Sequence, residues 1–295
     1  MTKLSPANLS TADLARLFDV TETTIKRWAD SGELPCIKTP GGHRKYLLSA
    51  VLAFADARGF SPSHLPRTID TEILDEQNEQ AVIHKDIDTL RNTFVQKVLS
   101  GKPGEVSSFL LALSHSNLSV VKLCDEIIDP GMEEVGNLWL TGKLGVETEH
   151  RVSYEVLNAI SQIESAKQLR EPTGRTVLLA CPRNEHHEIG LRSLAAILRL
   201  QGWNIIYLGA NVPTDSLMDT IRIYAPEVVC LSMTDPEAGL QMQNDLRKIY
   251  ESVRYAKGTL VLGGTGVHQR FRDARLCDHV CESARDFLAL SHRLA

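Results

Sequence analysis

Three stretches of the chain differ in how apolar and polar positions alternate. In residues 1–60 a capping-box pattern that starts at Ser10 begins one helix, and Thr21 is the predicted N-cap of a second. A third helical pattern covers 48–57, and the Pro- and Ser-rich run 60–66 predicts a linker. The N-terminal stretch is therefore expected to be a small helical unit.

Residues 73–169 have a helical period and few strand signals. Apolar residues recur every three or four positions, as in Leu90, Phe94 and Val98, which is the spacing of a helix with one buried face. Glycine, proline and short polar residues interrupt the pattern at several points. We predict a bundle of four or five helices.

After residue 172, short β-rich runs alternate with helical runs. This alternation predicts a doubly wound, flavodoxin-like α/β domain with a parallel sheet. Such sheets bind ligands in loops beyond the carboxyl ends of their strands, so candidate chemistry is expected there. The predicted strands cover 176–181, 204–208, 228–233 and 259–262, and the predicted helices cover 188–201, 214–224 and 239–255.

Composition excludes some classes of protein. Among 295 residues, 43% are hydrophobic and 23% are charged, which is typical of a globular chain, and no apolar run is long enough to span a bilayer. The first residues lack the apolar core of a secretory signal, and six scattered cysteines indicate a reduced, cytoplasmic protein. The run from Cys277 to Cys281, with His279 between, makes a poor zinc site and predicts buried cysteines near a final strand.

The net charge of −5 is unevenly distributed. Residues 1–60 contain eight Lys/Arg and six Asp/Glu, so this stretch carries +2 and the remainder carries −7. So small a basic excess predicts weak DNA binding by a single N-terminal unit, and tight binding would require several units held together.

The basic and small polar residues of this unit cluster on its second helix and on the turn that follows. A recognition helix presents such residues to base edges and phosphates, although a solvated helical hairpin is the alternative that the residues leave open. The candidate DNA contacts are Thr23, Thr24, Lys26, Arg27, His43, Arg44 and Lys45.

The run 12–28, together with Gly-Gly-His-Arg-Lys-Tyr ending at Tyr46, resembles a MerR-type winged helix-turn-helix. The resemblance implies a recognition helix, a wing formed by the Gly-Gly-His-Arg turn, and double-stranded operator DNA as partner. Trp28 continues the apolar face through Ile25 and is predicted to be core. MerR-type proteins usually dimerise through a long coiled coil, but no long heptad pattern is present, so oligomerisation is expected to use another surface.

The loop after the first predicted sheet strand contains Glu185, His186 and His187, with Gly190 soon after. An imidazole in a strand-end loop can ligate a metal, and a carboxylate two residues earlier can hold its other ring nitrogen. Gly190 would let a bulky ligand approach the backbone. The residues alone leave open that both histidines are loop residues with no ligand.

The Glu-x-His-x-x-Gly run that ends at Gly190 resembles the cobalamin-binding signature of methionine-synthase-like domains. The resemblance implies that His187 ligates cobalt in place of the cofactor's own benzimidazole. Two further marks follow later strands. Ser232 lies in Ser-x-Thr where the family has Ser-x-Leu, and Gly263-Gly264 corresponds to the pair that admits the nucleotide tail.

Trp139 is followed after nine residues by Glu149-His150, with a glycine-containing turn between. Two facing helices would let the indole cover a flat ligand while the pair approaches its axial group; a packing Trp and a surface Glu-His pair are the alternative. Before a cobalamin domain, this spacing resembles CarH-type photoreceptors, which are MerR-like repressors with adenosylcobalamin as chromophore. The resemblance implies a homotetramer on DNA in the dark that light dissociates by breaking the cobalt–carbon bond.

One departure from that family concerns the residue after Trp139. Light-sensing members commonly place there a His that becomes the upper cobalt ligand after photolysis, whereas this chain has Leu140, which cannot bind cobalt. Binding of adenosylcobalamin is still expected through the remaining residues. Leu140 calls into question the family's bis-imidazole light product, in which His150 would substitute only if the helices move.

We therefore predict a cytoplasmic, oligomeric, cobalamin-dependent repressor that responds to light, is not an enzyme and does not contact a membrane. Alternatives are a sensor of the cofactor's presence, a cofactor-free repressor, and a corrinoid methyl carrier for a methyltransferase, against which the DNA module argues. The predicted division is DNA-binding domain 1–60, linker 61–74, helical cap 75–170 and cobalamin-binding domain 173–295.

Overall fold

A computed structural model describes most of the chain. The described residues are 9–18, 20–39, 41–58, 74–116, 118–234, 242–267, 271 and 275–294. The chain divides into two compact units, Met1–Ala159 and Ile160–Ala295. The predicted linker 61–74 lies outside the described residues except for Leu74.

The N-terminal part of the first unit combines three helices with a small antiparallel sheet in the order β1-β3-β2. The predicted capping box is confirmed, since Ser10 and Asp13 bond each other's backbone N–H, and Thr21 caps the second helix. Trp28 is buried beside Phe18 and Phe54, as predicted. The elements are β1 (Leu9–Ser10), α1 (Thr11–Leu17), α2 (Glu22–Asp30), β2 (Ile37–Lys38), β3 (Arg44–Tyr46) and α3 (Leu48–Arg58).

The rest of the first unit is the predicted helical bundle, and its last helix continues into the second unit. A π-helical segment, Leu123–Ile128, joins α7 directly to α8, so 120–140 is one continuous helical stretch. The widened turn precedes Pro130, which has no N–H to donate, and Asp129 bonds the Cys124 carbonyl five residues back. The helices are α4 (Glu76–His84), α5 (Ile87–Leu99), α6 (Glu105–His115), α7 (Val120–Lys122), α8 (Asp129–Leu140) and α9 (Val146–Ala166).

Glu155 fastens α9 to the start of α6. Its buried carboxylate accepts hydrogen bonds from the backbone N–H groups of Gly104 (3.1 Å) and Ser107 (3.4 Å) and from Arg151 (2.7 Å). The first N–H groups of a helix have no partner within the helix, so a carboxylate from a neighbouring helix both caps α6 and fixes the packing.

The second unit contains the predicted parallel sheet, with strand order β5-β4-β6-β7-β8. This is the flavodoxin-like order, so the fold prediction is confirmed. The start of the predicted helix 239–255 lies partly outside the described residues. The elements are β4 (Thr176–Pro182), α10 (Ile189–Leu200), β5 (Asn204–Val212), α11 (Thr214–Tyr224), β6 (Val228–Ser232), α12 (Gln243–Tyr255), β7 (Thr259–Gly263), β8 (His279–Cys281) and α13 (Ala284–Ser291).

Side chains of the inner strand β4 alternate between two apolar cores. Leu178 and Ala180 pack on the face covered by α11 and α12, while Val177 and Leu179 pack on the opposite face with α10 and α13. Because β5 pairs with one edge of β4 and β6 with the other, the side on which successive parallel strands are added reverses at β4, and a crevice is expected beyond its carboxyl end.

The cysteines are free thiols. Cys277 is buried, as predicted, whereas Cys281, on the final described strand β8, is only half-buried. Among the described residues, no group of three or more His, Cys, Asp or Glu side chains is arranged to hold a metal ion. No helix in the described part of the chain is long and apolar enough to cross a membrane.

The contact between Gly131 on α8 and the buried Phe94 ring yields a stability prediction. A Cβ at position 131 would lie 2.6 Å and 2.8 Å from two ring carbons, so Gly131→Ala should destabilise the protein by about 1–3 kcal/mol. Gly136, on the same helix, has open space where a Cβ would lie, and Gly136→Ala should stabilise by up to about 1 kcal/mol. Urea denaturation would contradict this packing if both substitutions shifted the midpoint in the same direction.

Candidate functional site

A buried carboxylate, Glu185, organises the loop that follows β4. Its side chain is 1% exposed. The backbone N–H of His187 donates to Oε1 (2.8 Å), and the backbone N–H of Thr234, which follows β6, donates to Oε2 (2.6 Å). Glu185 therefore links the loop after β4 to the end of β6.

His187 lies at the outer end of this arrangement. Its ring Nδ1 is 2.6 Å from Glu185 Oε1, while the side chain is 70% exposed. A carboxylate bonded to one ring nitrogen orients the imidazole and makes the other nitrogen a better metal ligand. The predicted Glu185–His187 relation is thus present, with Nε2 as the nitrogen that Glu185 does not engage.

Two asparagines hold the same loop against the end of β5. The Asn184 backbone N–H donates to the Asn211 side-chain oxygen (2.9 Å), and the Asn211 N–H donates to the Glu185 carbonyl (2.8 Å). Both asparagines have positive φ values, 68° and 55°, a conformation that asparagine tolerates better than most residues. Sequence reasoning missed this clamp, although an Asn in each of two strand-end loops was the available signal.

Glu188 fixes the other flank of His187. The Tyr207 hydroxyl on β5 donates to Glu188 Oε2 (2.8 Å), and the Glu188 carbonyl accepts from Arg192 at the start of α10. Burial, followed by this hydrogen bond, raises the pKa of Tyr207. Burial also raises the pKa of the Cys181 thiol, below the loop, to about 12. Both groups therefore stay protonated near neutral pH.

The other predicted residues of the sheet domain lie at the same carboxyl edge. Ser232 and Gly263 are partners at the ends of β6 and β7. Gly264 has φ +95°, and a Cβ there would collide with the Met233 carbonyl, so glycine is required by the backbone itself. Gly190 has open space where a side chain would be. The exposed imidazole of His187 and the open helix start at Gly190 are the features of this edge that fit a bulky ligand carrying a metal.

The candidate residues of the helical cap are accessible within the first unit. Trp139 and Leu140, at the end of α8, are 45% and 73% exposed, and Gly142 makes the predicted turn with φ +70°. Glu149 accepts a hydrogen bond from Ser153 (2.7 Å) and lies 3.5 Å from the exposed ring of His150. An exposed indole at a helix end is suited to cover a planar ligand.

The candidate DNA contacts lie on α2, on the β2–β3 turn and on β3. Thr23, Lys26, Arg27 and His43 are exposed, and Thr24 and Lys45 are half-buried. Arg44 differs from the expectation for a phosphate contact, because its guanidinium is bonded to Asp30 on α2 (2.6 Å). Asp30 and Arg44 are 14 residues apart along the chain, so no local sequence pattern predicted that they would pair.

Family models match three parts of the chain. Residues 175–289 match a B12 binding domain, residues 90–163 match a second model described as a B12 binding domain, and residues 9–59 match a helix-turn-helix domain. The sheet domain with His187, the cap with Trp139 and the unit with α2 therefore each have a recognised counterpart.

Two curated relatives span almost the whole chain, and both are from Myxococcus xanthus. The HTH-type transcriptional repressor CarA is 27% identical and aligns with 94% of this chain and 94% of its own length. The HTH-type transcriptional repressor CarH is 25% identical over 92% of this chain and 94% of its own. Both names describe regulators, which supports the prediction that this chain is not an enzyme.

One solved structure confirms the fold alone. The monomethylamine corrinoid protein of Methanosarcina barkeri has a TM-score of 0.57 with 16% identity, and the match covers 72% of this chain and all of that one. A helical cap and a parallel sheet therefore occur together in a known architecture.

Glu185→Gln should loosen the loop. A Gln amide presents N–H₂ in place of one acceptor oxygen, so the N–H of either His187 or Thr234 loses its partner, at a cost of about 1–3 kcal/mol for a buried group. Hydrogen exchange should accelerate at both amides and the urea midpoint should fall. Glu188→Gln, which keeps an acceptor for Tyr207, is the matched control. Equal exchange rates in wild type and Glu185→Gln would rule out this role.

Proposed function

We propose that this chain is a cobalamin-dependent transcriptional repressor. The observation that carries the proposal is the Glu185–His187 pair at the strand-order reversal of the sheet, in one chain with a winged helix-turn-helix unit. The matches to B12 binding and helix-turn-helix models, and to two repressors along nearly the full length, support it.

His187 is the proposed lower ligand of cobalt. Glu185 holds Nδ1 of this exposed ring, and Glu188 and the two asparagines hold the loop from both sides. Gly190, Ser232, Gly263 and Gly264 are proposed to line the groove for the nucleotide tail. Glu185, Glu188 and the asparagine pair hold the loop in one conformation. Less conformational entropy is then lost when His187 binds the metal.

We further propose the adenosyl form of the cofactor, with Trp139, Glu149 and His150 toward its upper face. When bound, adenosylcobalamin supplies a cobalt–carbon bond that light can break. The exposure of Trp139 supports its proposed place at the upper face, because an uncovered indole at a turn is available to a ligand. Leu140 offers no ligand atom for cobalt, so any light state must form without the residue after Trp139.

The regulatory step is proposed to be a change of oligomeric state. The cofactor would stabilise a homo-oligomer, a tetramer in the dark, that places several DNA modules on one operator, and light would shift the population toward free protomers. The charge supports this step, since +2 per module provides weak binding that gains most from avidity. The domain limits given above and a cytoplasmic location are part of this proposal.

A corrinoid methyl carrier is the second candidate, favoured by the fold shared with a monomethylamine corrinoid protein. Such a carrier would have no use for the helix-turn-helix match over residues 9–59. We therefore favour the regulator.

The lower-ligand assignment is tested with His187→Ala. On mixing with adenosylcobalamin in the dark, the wild type should give the absorbance spectrum of histidine-ligated cobalt, and His187→Ala should not. His186→Ala, which changes the exposed neighbour, is the matched control and should behave as wild type. A histidine-ligated spectrum from His187→Ala would refute the assignment, and no spectral change with wild type would refute cobalamin binding.

A further inference from the structure

The two basic residues of β3, Arg44 and Lys45, lie on opposite faces of the strand. Successive side chains of a strand point to opposite faces, so on β3 Arg44 shares a face with Tyr46 and Lys45 has the other. Tyr46 is fully buried in the core of the N-terminal unit. The face that carries Arg44 is therefore the one turned toward the protein.

The contacts of Arg44 agree with this geometry. Its side chain is 22% exposed, and its Nη2 lies 2.6 Å from Oδ1 of Asp30, the last residue of α2. Its Nε is buried. A guanidinium at the carboxyl end of a helix also interacts favourably with the helix dipole. Arg44 thus joins the wing to the recognition helix.

A second ion pair of this kind lies just after the end of α2. Glu33, which follows α2, is paired with Arg58 of α3, and that guanidinium lies over the rings of Trp28 and Phe54. Asp30 and Glu33, the two acidic residues at the end of α2 and just after it, therefore each form an ion pair with an arginine from a later element. An unpaired carboxylate at this place would repel a DNA phosphate.

We propose that Arg44 is a positioning residue that sets the wing against α2, and that the wing's phosphate contact is made by Lys45. This rests on the proposed DNA-binding function. If Arg44 moved to contact a phosphate, Asp30 would lose its ion-pair partner and leave an uncompensated carboxylate near the DNA. Lys45, on the opposite face of β3, forms no ion pair among the described residues and needs no such exchange. His43 remains an exposed neighbour at the tip of the turn.

The first test needs no DNA. Arg44→Gln and Asp30→Asn should each accelerate hydrogen exchange of the wing amides Thr39 and Gly42 by about two- to fivefold, the range expected for loss of a surface ion pair. The double variant should exchange no faster than either single variant, because both remove the same contact. Lys45→Gln should leave exchange unchanged. Unchanged exchange in Asp30→Asn, where Arg44 itself is intact, would overturn the proposal.

The second test uses a 30-base-pair duplex, about three helical turns, selected from a random-sequence pool by the cofactor-loaded wild type. Lys45→Gln should reduce the slope of log affinity against log salt by about 0.9 for each bound module, whereas Arg44→Gln should weaken binding without changing the slope. Asp30→Asn should weaken binding like Arg44→Gln. A slope that falls for Arg44→Gln and not for Asp30→Asn, or tighter binding by Asp30→Asn, would show instead that Arg44 contacts phosphate. If the wild type selects no duplex, the proposed function fails, and the exchange measurement still decides the role of Arg44.

Discussion

The sheet domain depends on how the charge of one buried side chain, Glu185, is satisfied. A carboxylate removed from water is costly unless it is fully hydrogen-bonded, and here the N–H groups of His187 and Thr234 and the His187 ring meet its two oxygens. These bonds need β4 and β6 side by side, which the strand order provides. Fold and candidate ligand are therefore coupled, because the contact that offsets the cost of burial also orients the imidazole.

In the helix-turn-helix part of the chain the important charges lie at the surface, in contrast to the buried carboxylate of the sheet domain. The acidic residues that end the recognition segment, Asp30 and Glu33, are paired with Arg44 and Arg58, so the charges of these two carboxylates are compensated within the protein. The net excess stays small, and one module gains little from counterion release. The proposed control by assembly suits such a module, because affinity then depends on how many copies are held together.

Local signals in the sequence predicted much of this structure. The Ser10 capping box, the Thr21 cap and the alternation of strand and helix patterns rest on neighbouring residues, and they placed the Glu185–His187 loop at a strand end. Contacts between distant residues could not be predicted in this way. The bond from Thr234 to Glu185 uses a backbone N–H that any residue could supply, 49 positions away, and the Asp30 partner of Arg44 depends on the path of the wing.

The most direct measurement of the central claim is sedimentation of the full chain with the cobalamin absorbance recorded in the same run. The proposed function predicts a higher mass after adenosylcobalamin is added in the dark, with the cofactor absorbance moving with the heavier species, and a return to lower mass after illumination. A cofactor that sediments with the protein at one unchanged mass, before and after light, would contradict control by assembly.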